Sequence, residues 1–243
     1  MKADNEVNNV VSEIDGIRDN LTRIRNGIEH AAQKAGRNPD EVTLVVVTKT
    51  FGLDTVRNAI EAGATDVGEN YVQEARAKIQ AVGREAARWH FIGGLQTNKA
   101  KYVVRLFDLV HSVDGYDLAA EIDRRAAIEG RVMDILIQVD ISREAQKSGV
   151  MEEDLVEFVR TIAPMPHVAV KGLMGMPPFG REPEASRPYF RRMRELFDEI
   201  ASLRIPAVDM KELSMGMSND FEVAVEEGAT MVRVGTAVFG QRG

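Results

Sequence analysis

One pattern constrains this chain more than any other. From residue 42 onward, short β-branched apolar runs alternate with stretches of helical spacing. The clearest run is VTLVVVTK at 42–49, apolar on both faces, as in a parallel strand covered on both sides. Residues 53–62 then place Val56, Ala59 and Ile60 at helical spacing, and Gly63 follows as a stop. The same reading predicts strands at 65–69, 88–93, 109–113, 132–141, 168–174, 211–215 and 230–234. Helices are expected at 71–82, 98–106, 116–129, 152–163, 187–203 and 220–227. Eight strands joined by seven helices favour closure as a TIM-type (β/α)8 barrel, with an open doubly wound sheet as the alternative. A longer helix is expected at 7–32, from the stripe Val7, Val10, Val11, Ile14, Ile17, Leu21, Ile24 and Ile28. About nine residues follow the last strand, so this N-terminal helix is expected to fill the place of an eighth outer helix. Nothing reads as a linker, so residues 1–243 are expected to form a single domain.

Composition narrows the function classes. With 243 residues and 44% hydrophobic content, the chain can bury a substantial core. A net charge of −7 argues against a general nucleic-acid surface. Zero cysteines exclude disulfides, thiolate metal sites and cysteine nucleophiles. The four histidines are far apart and show no metal-site spacing. The acidic N-terminus lacks the apolar core of a signal peptide, and no run approaches the ~18 apolar residues of a membrane span. A cytoplasmic protein that contacts neither membrane nor nucleic acid is expected.

Active sites of such barrels form at the C-terminal ends of the strands, which shortens the list of candidates. Lys49 closes the first apolar run, where partial desolvation favours a neutral, nucleophilic amine. Alone, it also fits an ordinary solvated lysine. Arg233 sits in the last strand, MVRVG, on the face of Met231 and Gly235. A guanidinium there needs an anion or a strong acceptor, either a ligand or a barrel carboxylate. Gly235 and Thr236 follow at the mouth, where backbone N–H groups can approach a phosphate. LSMGMSND at 213–220 offers Ser214 and Ser218 to an anion, although Ser218 or Asn219 could simply cap the next helix. Asn70, in GENY, could hydrogen-bond a ligand. His90, in WHFIGG, could face one or pack as a core histidine. The segment at 172–180, GLMGMPPFG, reads as a lid, a wall or a plain turn. Arg181, Arg187, Arg191, Arg192 and Arg194 read as a solvated face, and Lys147 as an exposed residue on the active-face side.

The collinear motifs VVTKT, VGENYVQE, WHFIGGLQTNK, HSVDG, QVDISREAQKSG, GLMGMPP and LSMGMSNDFEVAVEEGATMVRVGTAVFG resemble the pyridoxal phosphate homeostasis protein family across nearly the whole chain after the first helix. The chain departs from the family's habit at Val67, often phenylalanine, and at Phe51-Gly52, often lysine-proline. The resemblance implies a barrel like the N-terminal domain of alanine racemase. It implies pyridoxal 5′-phosphate (PLP) as cofactor, held as a Schiff base on Lys49, with Arg233 facing the pyridine nitrogen. Gly235, Thr236 and either Ser214 or Ser218 would hold the phosphate, and Asn70 and His90 would lie near the ring.

Two features bear on carrier against enzyme. With Gly243 as its last residue, the chain is expected to lack the C-terminal β domain that supplies a second base in alanine-racemase-like enzymes. An arginine stays protonated and favours an unprotonated pyridine nitrogen, which weakens the cofactor as an electron sink. A non-catalytic, monomeric PLP carrier serving vitamin B6 and amino-acid homeostasis is expected, with apo PLP-dependent enzymes as recipients. A PLP-dependent amino-acid racemase of low activity is the alternative.

Overall fold

The computed structural model describes residues 2–143, 148–178, 180 and 182–240, with the backbone alone for 2–10. Lys147 and Arg181 lie outside the described residues. Eight strands close into one parallel barrel in chain order: β1 Thr43–Val47, β2 Asp66–Glu69, β3 Arg88–Phe91, β4 Leu109–Val113, β5 Met133–Val139, β6 Val168–Gly175, β7 Val208–Met217 and β8 Met231–Val234. β1 hydrogen-bonds in parallel to both β2 and β8, which completes the closure and removes any sheet edge. The open sheet is thereby excluded.

The outer layer consists of α1 Lys2–Lys34, α2 Leu53–Glu61, α3 Val72–Val82, α4 Ala100–Leu106, α5 Tyr116–Ile128, α6 Leu155–Ile162, α7 Arg187–Ser202 and α8 Phe221–Glu226, with the one-turn α9 Thr236–Phe239 after β8. Such a short helix cannot cover the β8–β1 face. α1 does so by packing against α2, α8 and α9. Ile14, Ile17, Leu21, Ile24, Ile28 and Ala31 form its buried stripe. Asn20 Nδ2 donates to the Val238 carbonyl at 2.7 Å, and Arg37 Nη1 donates to the Val225 and Ala229 carbonyls at 2.7 and 3.0 Å. No helix among the described residues is long and apolar enough to cross a membrane.

Strand side chains alternate between two environments, as the pleat requires. Val232 and Val234 join the main core between sheet and helices. Met231 points inward and packs with Leu109, Leu136 and Met174 in the lumen. β7 is longer than its apolar run, because its first half, including Asp209 and Lys211, is a polar, partly exposed rim. A register shift between β6 and β7 occurs at Gly172, whose φ is 154°, and a Cβ there would lie 1.8 Å from the Glu212 carbonyl oxygen. Only glycine fits such a bulge.

At the N-terminal end of the barrel, Asp108 ties β3 to β4. Its carboxylate accepts from the Arg84 guanidinium and, at 2.8 Å, from the Trp89 amide. Burial pushes the carboxyl up, but these hydrogen bonds and the nearby Arg84 and Arg131 charges outweigh it and hold it below its usual range. A depressed folded pKa stabilises the fold fully above the unfolded value of about 3.9, and that contribution is lost as pH falls through the folded value. Asp108→Asn is expected to cost about 1–3 kcal/mol at pH 7. The gap to the parent protein should close in strong acid, as measured by urea denaturation across pH.

Candidate functional site

A cavity of about 670 Å3 opens at the C-terminal end of the barrel, a size suited to a small ligand. Its lining includes Val47, Lys49, Asn70, Ile92, Met176, Pro177, Pro178, Ser218, Arg233, Gly235 and Thr236. Strands β1, β2, β7 and β8 and the turns after them therefore bring six of the eight sequence-selected residues to one space. The other two, His90 and Ser214, are fully buried in the lumen instead. The segment around residues 172–180 divides: Gly172–Gly175 belong to β6, and Met176, Pro177, Pro178 and Gly180 form a wall of the cavity. A concavity at the opposite end is lined by a mixture of apolar and charged side chains, among them Ile28, Leu44, Arg25, Glu29, Asp40 and Asp66.

Lys49 lies two residues beyond the end of β1, in a turn whose next residue, Thr50, has φ 66°. A buried cluster holds this turn. Lys78 Nζ, from α3, donates to the Thr48 carbonyl at 2.8 Å and to Glu69 Oε1 at 2.7 Å. Thr48 Oγ1 donates to the same carboxylate oxygen at 2.5 Å. The Thr50 amide donates to Glu74 Oε2 at 2.9 Å. Burial pushes the Glu69 carboxyl above its usual range, against the pull of Lys78 and Thr48. Glu69, Glu74 and Lys78 escape sequence reasoning, although GENYVQE contains the two acids and Lys78 follows Glu74 by one helical turn.

On the neighbouring strand, Asn70 Oδ1 is buried without a hydrogen-bond partner among the described residues. The backbone of Asn70 sits tightly against Gly93, where a Cβ would meet the Asn70 carbonyl oxygen at 2.3 Å. Bare glycine after β3 is thus what lets Asn70 stand at the cavity wall.

Ser218 and β8 form the opposite side. Ser218 Oγ accepts from the Gly235 and Ala237 amides at 3.3 and 3.2 Å. Neither Ser218 nor Asn219 occupies the cap of α8. That position belongs to Asp220, whose carboxylate accepts from the Met217 amide at 2.7 Å and the Ser186 hydroxyl at 2.8 Å. Ser218 is left to gather the Gly235–Ala237 backbone into a polar cradle. At Gly235 a Cβ would crowd Val47 at about 3.2–3.3 Å.

Arg233 reaches the cavity from the lumen. Its Nη1 donates to Ser214 Oγ at 2.6 Å and its Nη2 to the Gly175 carbonyl at 3.2 Å. Burial lowers its pKa to about 10, with Asp220 opposing, so it stays cationic at neutral pH. Ser214 Oγ also meets His111 Nδ1 at 2.9 Å, His111 Nε2 meets His90 Nδ1 at 3.0 Å, and His90 Nε2 meets Asp66 Oδ1 at 2.9 Å. Burial, with His90 and Arg233 nearby, holds His111 well below its usual range. Burial lowers His90 as well, against the attraction of Asp66. His111 is legible in the sequence only as part of HSVDG, and its role depends on partners from two other strands, His90 on β3 and Ser214 on β7.

The site therefore offers a lysine amine, a cationic floor, an amide acceptor without a partner among the described residues, and a polar cradle in which the Ser218 hydroxyl gathers the Gly235 and Ala237 amides. Residues 20–243 match the family model of the alanine racemase N-terminal domain. The pyridoxal phosphate homeostasis protein of Aquifex aeolicus is 45% identical over 222 residues, covering 91% of this chain and 96% of the relative. The chain belongs to the pyridoxal phosphate homeostasis protein family. The Escherichia coli K12 member is 39% identical over 229 residues, covering 93% of this chain and 97% of its own. Among solved structures, PipY of Synechococcus elongatus with PLP bound has a TM-score of 0.80 at 34% identity, covering 92% of this chain and all of PipY. Alanine racemase of Clostridium difficile shares the fold, with a TM-score of 0.72 at 13% identity, and this chain spans 56% of it.

Proposed function

We propose that this chain, as one barrel domain over residues 1–243, binds PLP reversibly and buffers it for vitamin B6 and amino-acid homeostasis in the cytoplasm. The observation that carries the reading is the convergence of Lys49, Arg233 and the Ser218–Gly235–Ala237 cradle on one cavity. When bound, PLP supplies an aldehyde that condenses with a lysine amine as a Schiff base. Lys49 is the amine. Arg233 donates toward the pyridine nitrogen. Ser218, Gly235 and Thr236 hold the phosphate at the start of α9. The Asn70 amide, whose buried Oδ1 has no hydrogen-bond partner among the described residues, orients the ring. His90 and Ser214 act through Arg233 and do not touch the ligand.

Arg233 also favours retention over turnover. A guanidinium does not give its proton to the ring, so the bound cofactor remains a poor electron sink. The protein is read as a monomeric carrier whose recipients are apo PLP-dependent enzymes. The test is transfer: loaded protein, mixed with an apo-enzyme in the presence of a scavenger of free PLP, should restore activity that free PLP under the same conditions does not. Equal scavenging of both would remove the carrier reading. Sustained interconversion of D- and L-alanine, lost in Lys49→Ala, would replace it with a racemase.

A further inference from the structure

With both imidazoles neutral, the direction in which burial pushes them, the polar string beneath the cavity has one self-consistent arrangement of protons. Arginine can only donate, so Ser214 Oγ accepts from Arg233. At the other end a neutral His90 must point its one proton at Asp66, so its Nδ1 takes the His111 Nε2 proton and His111 Nδ1 is left bare to accept the Ser214 hydroxyl. His111 therefore carries its proton on Nε2 and donates to His90 Nδ1. His90 in turn carries its proton on Nε2 and donates to Asp66, a carboxylate that can only accept. Asp66 stands at the first residue of β2, and a concavity at the N-terminal end of the barrel includes it. The string thus crosses the lumen from one end to the other. Among the described residues, no carboxylate lies within ion-pair distance of Arg233. A buried guanidinium without a contacting counter-ion is costly and free to turn unless its donors are engaged.

We propose that Ser214, His111, His90 and Asp66 are positioning residues, a one-way hydrogen-bond relay that aims the Arg233 guanidinium at a ring-nitrogen acceptor in the cavity. The relay supplies directional acceptors near Arg233 without setting a carboxylate in contact with it, while the Asp220 charge at the cavity helps keep it cationic. The proposal rests on the PLP reading for its ligand, but the proton arrangement does not.

Two measurements test it. Long-range nitrogen–proton NMR correlations of the ligand-free protein should show His90 and His111 neutral at pH 7, both protonated on Nε2. Either ring protonated on Nδ1, or doubly protonated, would overturn the relay. The second measurement compares dissociation constants for PLP and for its carbocyclic analogue, in which C–H replaces the ring nitrogen. The parent protein should prefer PLP. Ser214→Ala and His111→Phe should each reduce that preference about tenfold, whereas Ser214→Thr, which keeps the hydroxyl, should retain it. Ser218→Ala should weaken both ligands alike. Equal weakening of both ligands in Ser214→Ala, or no preference in the parent, would show a structural string that does not aim Arg233. If the parent takes neither ligand, the PLP reading fails, and the NMR result alone decides the relay.

Discussion

Lys49→Ala protein, mixed with PLP and reduced with borohydride, retains no pyridoxyl group, while the parent protein retains one on the peptide that contains Lys49. Borohydride converts a reversible carbon–nitrogen double bond into a stable single bond, so mass spectrometry of the digest reports the attached lysine directly. Several other lysines lie on the surface, and all can react slowly with an aldehyde. Lys49 differs because the cavity brings Arg233 and the Ser218 cradle to the same ligand, raising the local concentration of the aldehyde. Effective molarities of oriented groups reach about 10⁵ M or more, enough to make one lysine dominate at stoichiometric PLP. The yellow colour of the loaded protein should vanish with the substitution. A stoichiometric adduct on another peptide in Lys49→Ala would place the site elsewhere.

The largest expected loss of stability comes from Lys78→Met. Lys78 and Glu69 are both buried, and their contact at 2.7 Å lies under the turn that carries Lys49. Breaking a buried pair on one side leaves an uncompensated charge and costs about 3–5 kcal/mol. Denaturant unfolding of the PLP-free protein should show this as a lowered midpoint at unchanged slope. Replacing both partners, as in Lys78→Met with Glu69→Leu, should recover most of the loss, because the desolvation of both charges disappears with them. A single-variant loss below about 1 kcal/mol would mean that water reaches Glu69 and that the pair is not a buried clamp.

Much of the barrel was legible because its strands are covered on both faces. β1 is a short β-branched run, β4 and β5 are mostly apolar apart from His111, Ser112, Asp134 and Gln138, and the ends of all three fall within two residues of the expected positions. β7 extends beyond the expected 211–215, because its half at the polar rim has no apolar pattern. The expected role of α1 follows from its stripe, which had to bury against something. Six site residues were legible as hydrogen-bonding or charged groups, or glycine, at strand ends. The choice between Ser214 and Ser218 was not. Both are serines on one segment, four positions apart, and only the lumen-facing turn of one and the mouth-facing turn of the other separate them.

By itself, the sequence determined the alternation of strands and helices, the presence of a lysine and an arginine at strand ends, and the family, because these are properties of local spacing and of collinear motifs. Only the tertiary structure decided that β8 closes onto β1, that Ser218 joins the cradle while Ser214 serves Arg233, and that Lys78 holds the Lys49 turn through Glu69. Those assignments depend on which side chains from distant strands share a buried space. In such a space every donor must find an acceptor, and no one-dimensional pattern records the pairing.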